Sequence, residues 1–106
     1  MPKYLVEASY TQQGLQGVRD KGAKSRVDAV GDMIKGLGGT MESFYFAFGD
    51  NDAYVTAELP DDESAAAVAL TVSASGTVRA RTVKLLEAAQ VDDALARSVT
   101  YRPPGA

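Results

Sequence analysis

The sequence has no cysteine, no histidine and no tryptophan among its 106 residues. Without cysteine there is no disulfide, iron–sulfur cluster, thiolate zinc site or cysteine nucleophile. Without histidine there is no His-based triad, imidazole metal ligand or histidine-ligated haem, and the most common general base near neutral pH is missing. Any chemistry therefore rests on carboxylates, tyrosine, lysine, arginine and hydroxyl groups.

Positive charge and long apolar runs are also scarce. Eleven basic residues face 14 acidic ones, which gives a net charge of −3. Nucleic-acid binding normally needs a basic surplus, so we expect no nucleic-acid partner. The longest apolar run, residues 65–74, is alanine-rich and falls short of the ~20 residues of a membrane span. No signal-peptide pattern is present, and we expect a cytoplasmic protein with no membrane partner.

The length predicts one domain over residues 1–106, and 45% hydrophobic residues is typical of a globular chain. Period-two alternation predicts a first strand over residues 3–10. One face of this strand carries Tyr4, Val6, Ala8 and Tyr10, and the other carries Leu5, Glu7 and Ser9. A helical stretch over residues 11–37 follows, with a bend near Gly22 and a stop at Gly38 and Gly39.

Alternation returns over residues 39–48 and predicts a second strand. Its two faces carry Phe44, Phe46 and Phe48 on one side and Met41, Ser43, Tyr45 and Ala47 on the other. A turn over residues 49–52 leads to a third strand over 53–59. The segment Pro60-Asp61-Asp62-Glu63 then opens a helix with a capping aspartate, and the helix runs to Ser75. A fourth strand over 77–86 and a short helix over 88–97 follow.

This order predicts an α+β fold, the ferredoxin-like βαββαβ pattern plus a C-terminal helix. Both helices of such a fold cover one face of an antiparallel sheet and leave the other face open. An open face with aromatic side chains marks an interface. We therefore expect a homodimer, or a higher homo-oligomer, in which a second copy covers the sheet.

Several separate segments resemble the bacterial GYD-domain family. They are the opening Met-Pro-Lys-Tyr-Leu-Val, the Ser43–Asp50 strand and turn, Ala-Ser-Gly at residues 74–76 and Tyr-Arg-Pro-Pro-Gly at residues 101–105. The Gly-x-Tyr-Asp turn that names the family falls on Gly49, Asp50, Asn51 and Asp52. Asn51 replaces the tyrosine of that motif, which removes the aromatic ring but suits the turn equally well.

The resemblance implies a dimeric α+β barrel. That broad group holds cofactor-free monooxygenases, lactone isomerases, haem enzymes and small-molecule-binding stress proteins, so the fold fixes no reaction. The missing histidine argues against the haem enzymes. We expect no cofactor, and the sequence does not decide whether the protein is an enzyme.

A cluster of basic residues surrounds Gly22 and predicts an anion site. The cluster consists of Arg19, Lys21, Lys24 and Arg26. A bend followed by a helix N-terminus offers free N–H groups, to which Lys24 and Arg26 add charge. The alternative is a solvated helix face, because Asp20, Asp28 and Asp32 lie within reach of the same residues.

Aromatic residues suggest a second element of the site. The aromatic residues could line a ligand cavity between sheet and helices, with a tyrosine such as Tyr45 as a proton donor and Glu7, Glu42 or Glu58 as a base. The set consists of Tyr10, Phe44, Tyr45, Phe46 and Tyr54. The alternative is that these aromatics form core or dimer interface. Arg79 and Arg81 share one strand face and are anion-binding candidates if that face is the barrel interior. The acidic turn does not fit an EF-hand loop, and we expect no metal.

Two functions remain after this reasoning. The first is a small homo-oligomeric barrel protein that binds a small acidic or aromatic organic molecule. The second is a structural or assembly module with no catalytic site. An enclosed cavity with an ionisable residue favours the first, and a sheet face filled by its partner favours the second.

Overall fold

Eight elements follow one another in the order that the sequence predicts. The computed structural model describes residues 1–105. The elements are β1 (Lys3–Tyr10), α1 (Gln12–Lys21), α2 (Ala23–Gly36), β2 (Thr40–Phe46), β3 (Ala53–Glu58), α3 (Asp62–Ala74), β4 (Val78–Leu85) and α4 (Ala88–Leu95). The predicted strand at residues 3–10 is confirmed, the predicted capping aspartate of α3 is Asp61, and the other boundaries lie within three residues of the predicted ones.

The four strands form one antiparallel sheet in the order β2-β3-β1-β4. Helices α2 and α3 pack on the face that carries the even-numbered residues of β1. The buried side chains between them include Tyr4, Val30, Ile34, Val55 and Ala65. The fold is therefore α+β and consistent with the ferredoxin-like pattern plus a C-terminal helix, which confirms the predicted fold class.

The predicted break in the first helical stretch lies at Gly22. This residue ends α1 and begins α2 with φ 92° and ψ 154°, in a region that favours glycine. Its N–H donates to the Val18 carbonyl oxygen at 2.7 Å, and its own carbonyl accepts from the Arg26 N–H at 3.3 Å. One glycine thus ends α1 and begins α2.

A β-bulge in β2 corrects one predicted side-chain pattern. Met41 pairs with Ala57 and Ser43 with Thr56, so Glu42 is the extra residue between them. The bulge brings Met41 onto the helix-covered face with Phe44, where both pack against the core. The prediction that placed Met41 on the face of Ser43 and Tyr45 was wrong, because simple alternation cannot register an inserted residue.

A buried tyrosine connects the central strand to α3. The Tyr4 hydroxyl donates a hydrogen bond to the carboxylate of Asp62, in the first turn of α3. Asp62 also forms an ion pair with Lys84 of β4 at 3.0 Å. Burial together with the Asp62 carboxylate raises the pKa of Tyr4 to about 12. The same two partners, Tyr4 first and then Lys84, hold the pKa of Asp62 below its usual value.

The chain beyond β4 projects from the rest of the molecule. Every residue from 86 to 105 is exposed, including all of α4. We call this segment the C-terminal arm. In the part of the chain that the structure describes, no helix combines the length and the hydropathy needed to cross a bilayer.

Candidate functional site

An apolar cavity of about 60 Å³ lies between the sheet and helices α2 and α3. All four strands contribute to its walls, which consist almost entirely of aliphatic and aromatic side chains. Sheet residues on its wall include Val6, Tyr10, Phe44, Val55 and Ala80; helix residues include Arg26, Val30, Val68, Ala69 and Val72. We call it the helix–sheet cavity. A concave, mostly apolar space with few polar groups is the usual form of a small-molecule site.

Arg26 is the only charged residue among the described residues that line this cavity. It is half-buried, and its Nε atom is buried with no hydrogen-bond partner. The ion pairs found within residues 1–105 do not include Arg26. A buried donor without an acceptor is costly, so this guanidinium is ready to bind an acceptor that enters the cavity.

A second, more open space of about 260 Å³ adjoins the bend at Gly22, and we call it the bend groove. Tyr10, Arg26 and Val78 line both the bend groove and the helix–sheet cavity. Lys21 contributes a second positive charge to the groove. The anionic group of a ligand bound at Arg26 could thus lie in the bend groove, near Lys21, while the apolar part of the ligand enters the cavity.

The structure brings together two of the four residues predicted to bind a ligand. Tyr10 and Arg26 line the same cavity, whereas Lys24 and Phe46 are not among its lining residues. Lys24 is exposed and pairs with Asp28 at 3.1 Å, as the solvated-face alternative predicts. Phe46 is 41% exposed and stacks on Phe44, with ring centroids 5.0 Å apart.

The two catalytic candidates lie on the opposite face of the sheet. Glu7 of β1 pairs in register with Tyr54 of β3 and with Arg81 of β4. Tyr45 lies on the edge strand β2 and pairs with Tyr54 from the other side. Strands are about 4.8 Å apart, so roughly 10 Å separates Glu7 from Tyr45. The idea that Glu7 shares a helix-covered cavity with Tyr10 was wrong, because odd and even residues of β1 face opposite sides.

Glu7 instead lines a concavity of about 640 Å³ on the open face. Arg79 and Arg81 also line it, together with Tyr54 and Asn51. Arg81 faces Glu7 across the strands, but the two form no ion pair within residues 1–105. The concavity is larger than the helix–sheet cavity, and several charged side chains lie on its wall.

The turn motif at Gly49, Asp50, Asn51 and Asp52 has a structural role. The Asp52 carboxylate accepts a hydrogen bond from the Tyr10 N–H at 2.8 Å. The backbone N–H of Asp52 donates to the Ala8 carbonyl oxygen at 2.8 Å. Asn51 accepts from the Ser9 hydroxyl at 3.3 Å. These bonds fix the turn against the end of β1 and so help position Tyr10 at the cavity.

The acidic residues after β3 are occupied in a similar way. The Asp61 carboxylate accepts from the Ser64 N–H at 2.8 Å and from its hydroxyl, and these bonds lower the Asp61 pKa. Within residues 1–105, no three acidic residues are arranged to hold a metal ion.

Sequence reasoning missed the contribution of α3 to the cavity. Val68, Ala69 and Val72 line it, and Val68 and Val72 are one helical turn apart. That spacing was a usable signal, but the alanine-rich surroundings concealed it because α3 is apolar on every side. Phe44, one of the aromatic residues predicted to line a cavity, does line this one, whereas Phe46 does not.

The family model for the GYD domain matches residues 4–95. The chain belongs to the GYD-domain family. The match covers all residues that line the helix–sheet cavity, so the candidate site lies within this GYD domain. Neither the curated proteins nor the solved structures contain a significant match.

Proposed function

We propose that this GYD domain binds a small organic acid between its sheet and helices. The anionic group of the ligand pairs with Arg26, and the apolar part of the ligand occupies the helix–sheet cavity. The observation that carries this proposal is the buried Arg26 Nε, which has no partner within the described chain and belongs to the wall of an otherwise apolar space. Hydrogen bonds to a charged group contribute about 1.5–3 kcal/mol, so one guanidinium is enough to select an acid over a neutral analogue.

The cavity volume limits the apolar part of the ligand. A cavity of about 150 Å³ binds benzene in another protein, whereas this one measures about 60 Å³. A short aliphatic group therefore fits the helix–sheet cavity better than an aromatic ring does. An aromatic acid would need the bend groove for its ring.

The lining residues favour binding over proton abstraction. Among the described residues, none on the cavity wall is an aspartate or glutamate, and Tyr10 and Thr82 are the uncharged polar side chains there. Such a site can hold an anion and donate hydrogen bonds to it. We assign no catalytic step to this site.

Titration with acids of different shape tests the proposal. Butyrate, hexanoate and benzoate are added to the ¹⁵N-labelled protein at constant ionic strength, and butanol serves as the uncharged probe. We expect shifts at Tyr10, Val30 and Val72 with the acids, and an affinity about tenfold lower in Arg26→Met. Lys24→Met is the matched control, because Lys24 is exposed and outside the cavity. Equal affinity in Arg26→Met, or shifts confined to the open face, would overturn the proposal.

We also propose that two copies associate through the open sheet face. Leu5, Thr56 and Val83 lie in one row across this face, and Val83 is 40% exposed in the single chain. Sedimentation velocity with Val83→Glu tests this contact. A dimer that Val83→Glu leaves unchanged would contradict this contact.

The cytoplasmic location stays a prediction.

The alternative function, an assembly module without a ligand, makes a different prediction. Native mass spectrometry of the freshly purified protein distinguishes the two. An oligomer that carries a releasable small molecule supports the binding function. An oligomer with nothing bound, together with no response to the acids, supports the assembly function.

A further inference from the structure

The single chain exposes far more surface than a compact protein of its size. Its accessible surface is 7523 Å², whereas a folded chain of 11.1 kDa exposes about 5,700 Å². The radius of gyration is 16.9 Å, against about 13 Å for a compact chain of this length. Roughly 1,800 Å² therefore lies on parts of the chain that do not pack on their own core.

Most of the projecting part is the C-terminal arm, residues 86–105. Large apolar side chains recur along this arm, although every residue in it is exposed. Its large apolar side chains are Leu86, Val91, Leu95, Val99 and Tyr101, and the last three are 77%, 82% and 68% exposed. Val91 and Leu95 are one turn apart and form a stripe along α4.

Helix α4 is too short to be stable without packing. It has eight residues, and isolated helices shorter than about 12–15 residues are marginal in water. Local support comes from a capping box between Glu87 and Gln90 and from an ion pair between Asp93 and Arg97 at 2.9 Å. Such local terms add only tenths of a kcal/mol to about 1 kcal/mol. The apolar stripe of α4 therefore needs a surface to cover it.

The same chain carries a second exposed apolar surface, far along the sequence. We call it the aromatic edge, and it consists of Tyr45 and Phe46 at the end of the edge strand β2, on opposite faces of the sheet, and Phe48 just beyond the strand. Phe48 is fully exposed and Tyr45 is 71% exposed. The adjoining turn carries Asp50, and the arm carries Arg102; neither forms an ion pair within residues 1–105.

We infer that the C-terminal arm of one chain packs on the aromatic edge of a second copy. Two arms exchanged about a twofold axis give a closed dimer in which each copy both contributes and receives an arm. Obligate homodimers bury about 1,000–2,500 Å² per chain, a range that includes the excess surface calculated above. The arm's Arg102 then lies near the second copy's acidic turn. This inference rests on the homodimer proposed above and adds the contact that holds it.

Charge substitutions in the full-length chain test the arm separately from the sheet face. Leu95→Glu with Val99→Glu places two carboxylates on the apolar side of the arm. Ala89→Glu with Ser98→Glu adds the same charge to the arm away from the Val91–Leu95 stripe and is the matched control. In sedimentation velocity we expect the first variant to raise the dimer dissociation constant about 100-fold, as for two central interface residues, and the control to change it only slightly.

The contact itself is tested with introduced thiols, because the natural chain has no cysteine. Leu95→Cys and Phe48→Cys variants are mixed and oxidised, and the mixed disulfide is measured by mass. We expect more of it than from Leu95→Cys mixed with Gln12→Cys on α1, an exposed position remote from β2 in the chain. Equal yields of the two pairs would overturn the inference.

The two proposals fail in different ways. A dimer that Val83→Glu dissociates but Leu95→Glu with Val99→Glu leaves intact would overturn the arm contact and keep the sheet contact. A full-length chain that is monomeric at micromolar concentration would overturn both.

Discussion

The hydroxyl group of Tyr4 donates to the carboxylate of Asp62 and so joins the central strand to the first turn of α3. Helix α3 forms one wall of the helix–sheet cavity, and its position therefore depends on this bond. Lys84 holds the same carboxylate from β4 at 3.0 Å. The three residues thus tie the first turn of α3 to β1 and β4.

Tyr4→Phe is expected to lower the free energy of unfolding. The variant keeps the buried ring but removes the donor, so Asp62 loses one partner while its contact with Lys84 stays. Urea unfolding at neutral pH measures the loss. Tyr54→Phe is the control, since the Tyr54 hydroxyl only accepts a long bond of 3.4 Å from Asn51. A larger loss in Tyr54→Phe would contradict the prediction.

Stability is expected to fall in the alkaline range for the same reason. The pKa of Tyr4 rises from 10.0 to about 12 on folding. The contribution is fully present below pH 10 and is lost as pH rises towards 12, because the unfolded chain releases the proton first. Unfolding curves across this range compare the natural chain with Tyr4→Phe. The tyrosine-dependent part of the decline should be absent in the variant.

Asp62 predicts a complementary loss in acid. Its pKa is lower in the folded chain than the usual 3.8. Its contribution is therefore present above pH 3.8 and declines as pH falls through the lowered value. Asp62→Asn should show a flatter dependence of unfolding on acid pH. Glu63→Gln serves as the comparison, because Glu63 forms no hydrogen bond or ion pair within residues 1–105, and it should follow the natural chain.

Two glycines of α1 are expected to respond oppositely to alanine. A Cβ at Gly14 would overlap the Thr77 carbonyl oxygen, whereas a Cβ at Gly17 meets nothing within 4 Å. Gly14→Ala should lower the free energy of unfolding by about 1–3 kcal/mol, as overpacking does. Gly17→Ala should raise it by about 0.5–1 kcal/mol, since alanine favours the helix. Thermal and urea unfolding of both variants measure the difference. A stabilised Gly14→Ala would mean that α1 does not approach β4 this closely.

Arg26→Met is expected to stabilise the ligand-free protein. The substitution removes a buried donor that has no acceptor and keeps an aliphatic chain against the cavity wall. We expect a gain of about 1 kcal/mol, at the lower end of the cost of an unsatisfied buried group. Lys24→Met should change stability by less than about 0.5 kcal/mol, as exposed sites do. A destabilised Arg26→Met would mean that the guanidinium has a structural partner and is not available to a ligand.

The sequence predicted the parts of the fold that rest on local chemistry. A glycine inside a helical stretch marks a break, and an aspartate before a helix marks a cap. The break at Gly22 and the capped start of α3 could therefore be located without a structure. The β-bulge at Glu42 could not be located in this way, because the sequence of the strand does not show where one extra residue shifts the pairing register. That single residue decided the face of Met41.

The candidate site was harder to predict for a related reason. Arg26 and Tyr10 were identified by their residue types, and the structure places both at one cavity. Glu7 was assigned to that cavity as well, although strand periodicity already places it on the face opposite Tyr10. The unpartnered state of the Arg26 Nε depends on contacts from α3 and the sheet, which no spacing in the sequence records.

The wall that α3 presents is made of small side chains. Ala69 on the helix and Ala80 on β4 both line the cavity, and neither extends beyond one methyl group. The small side chains of Ala69 and Ala80 therefore help to determine how large a molecule the cavity admits. One added branch at residue 69 or residue 80 would close it, and one lost at Val68 would enlarge it, with Arg26 unchanged. Divergence among chains of this fold could thus alter which acid is accepted through single substitutions that leave the charge-binding group in place.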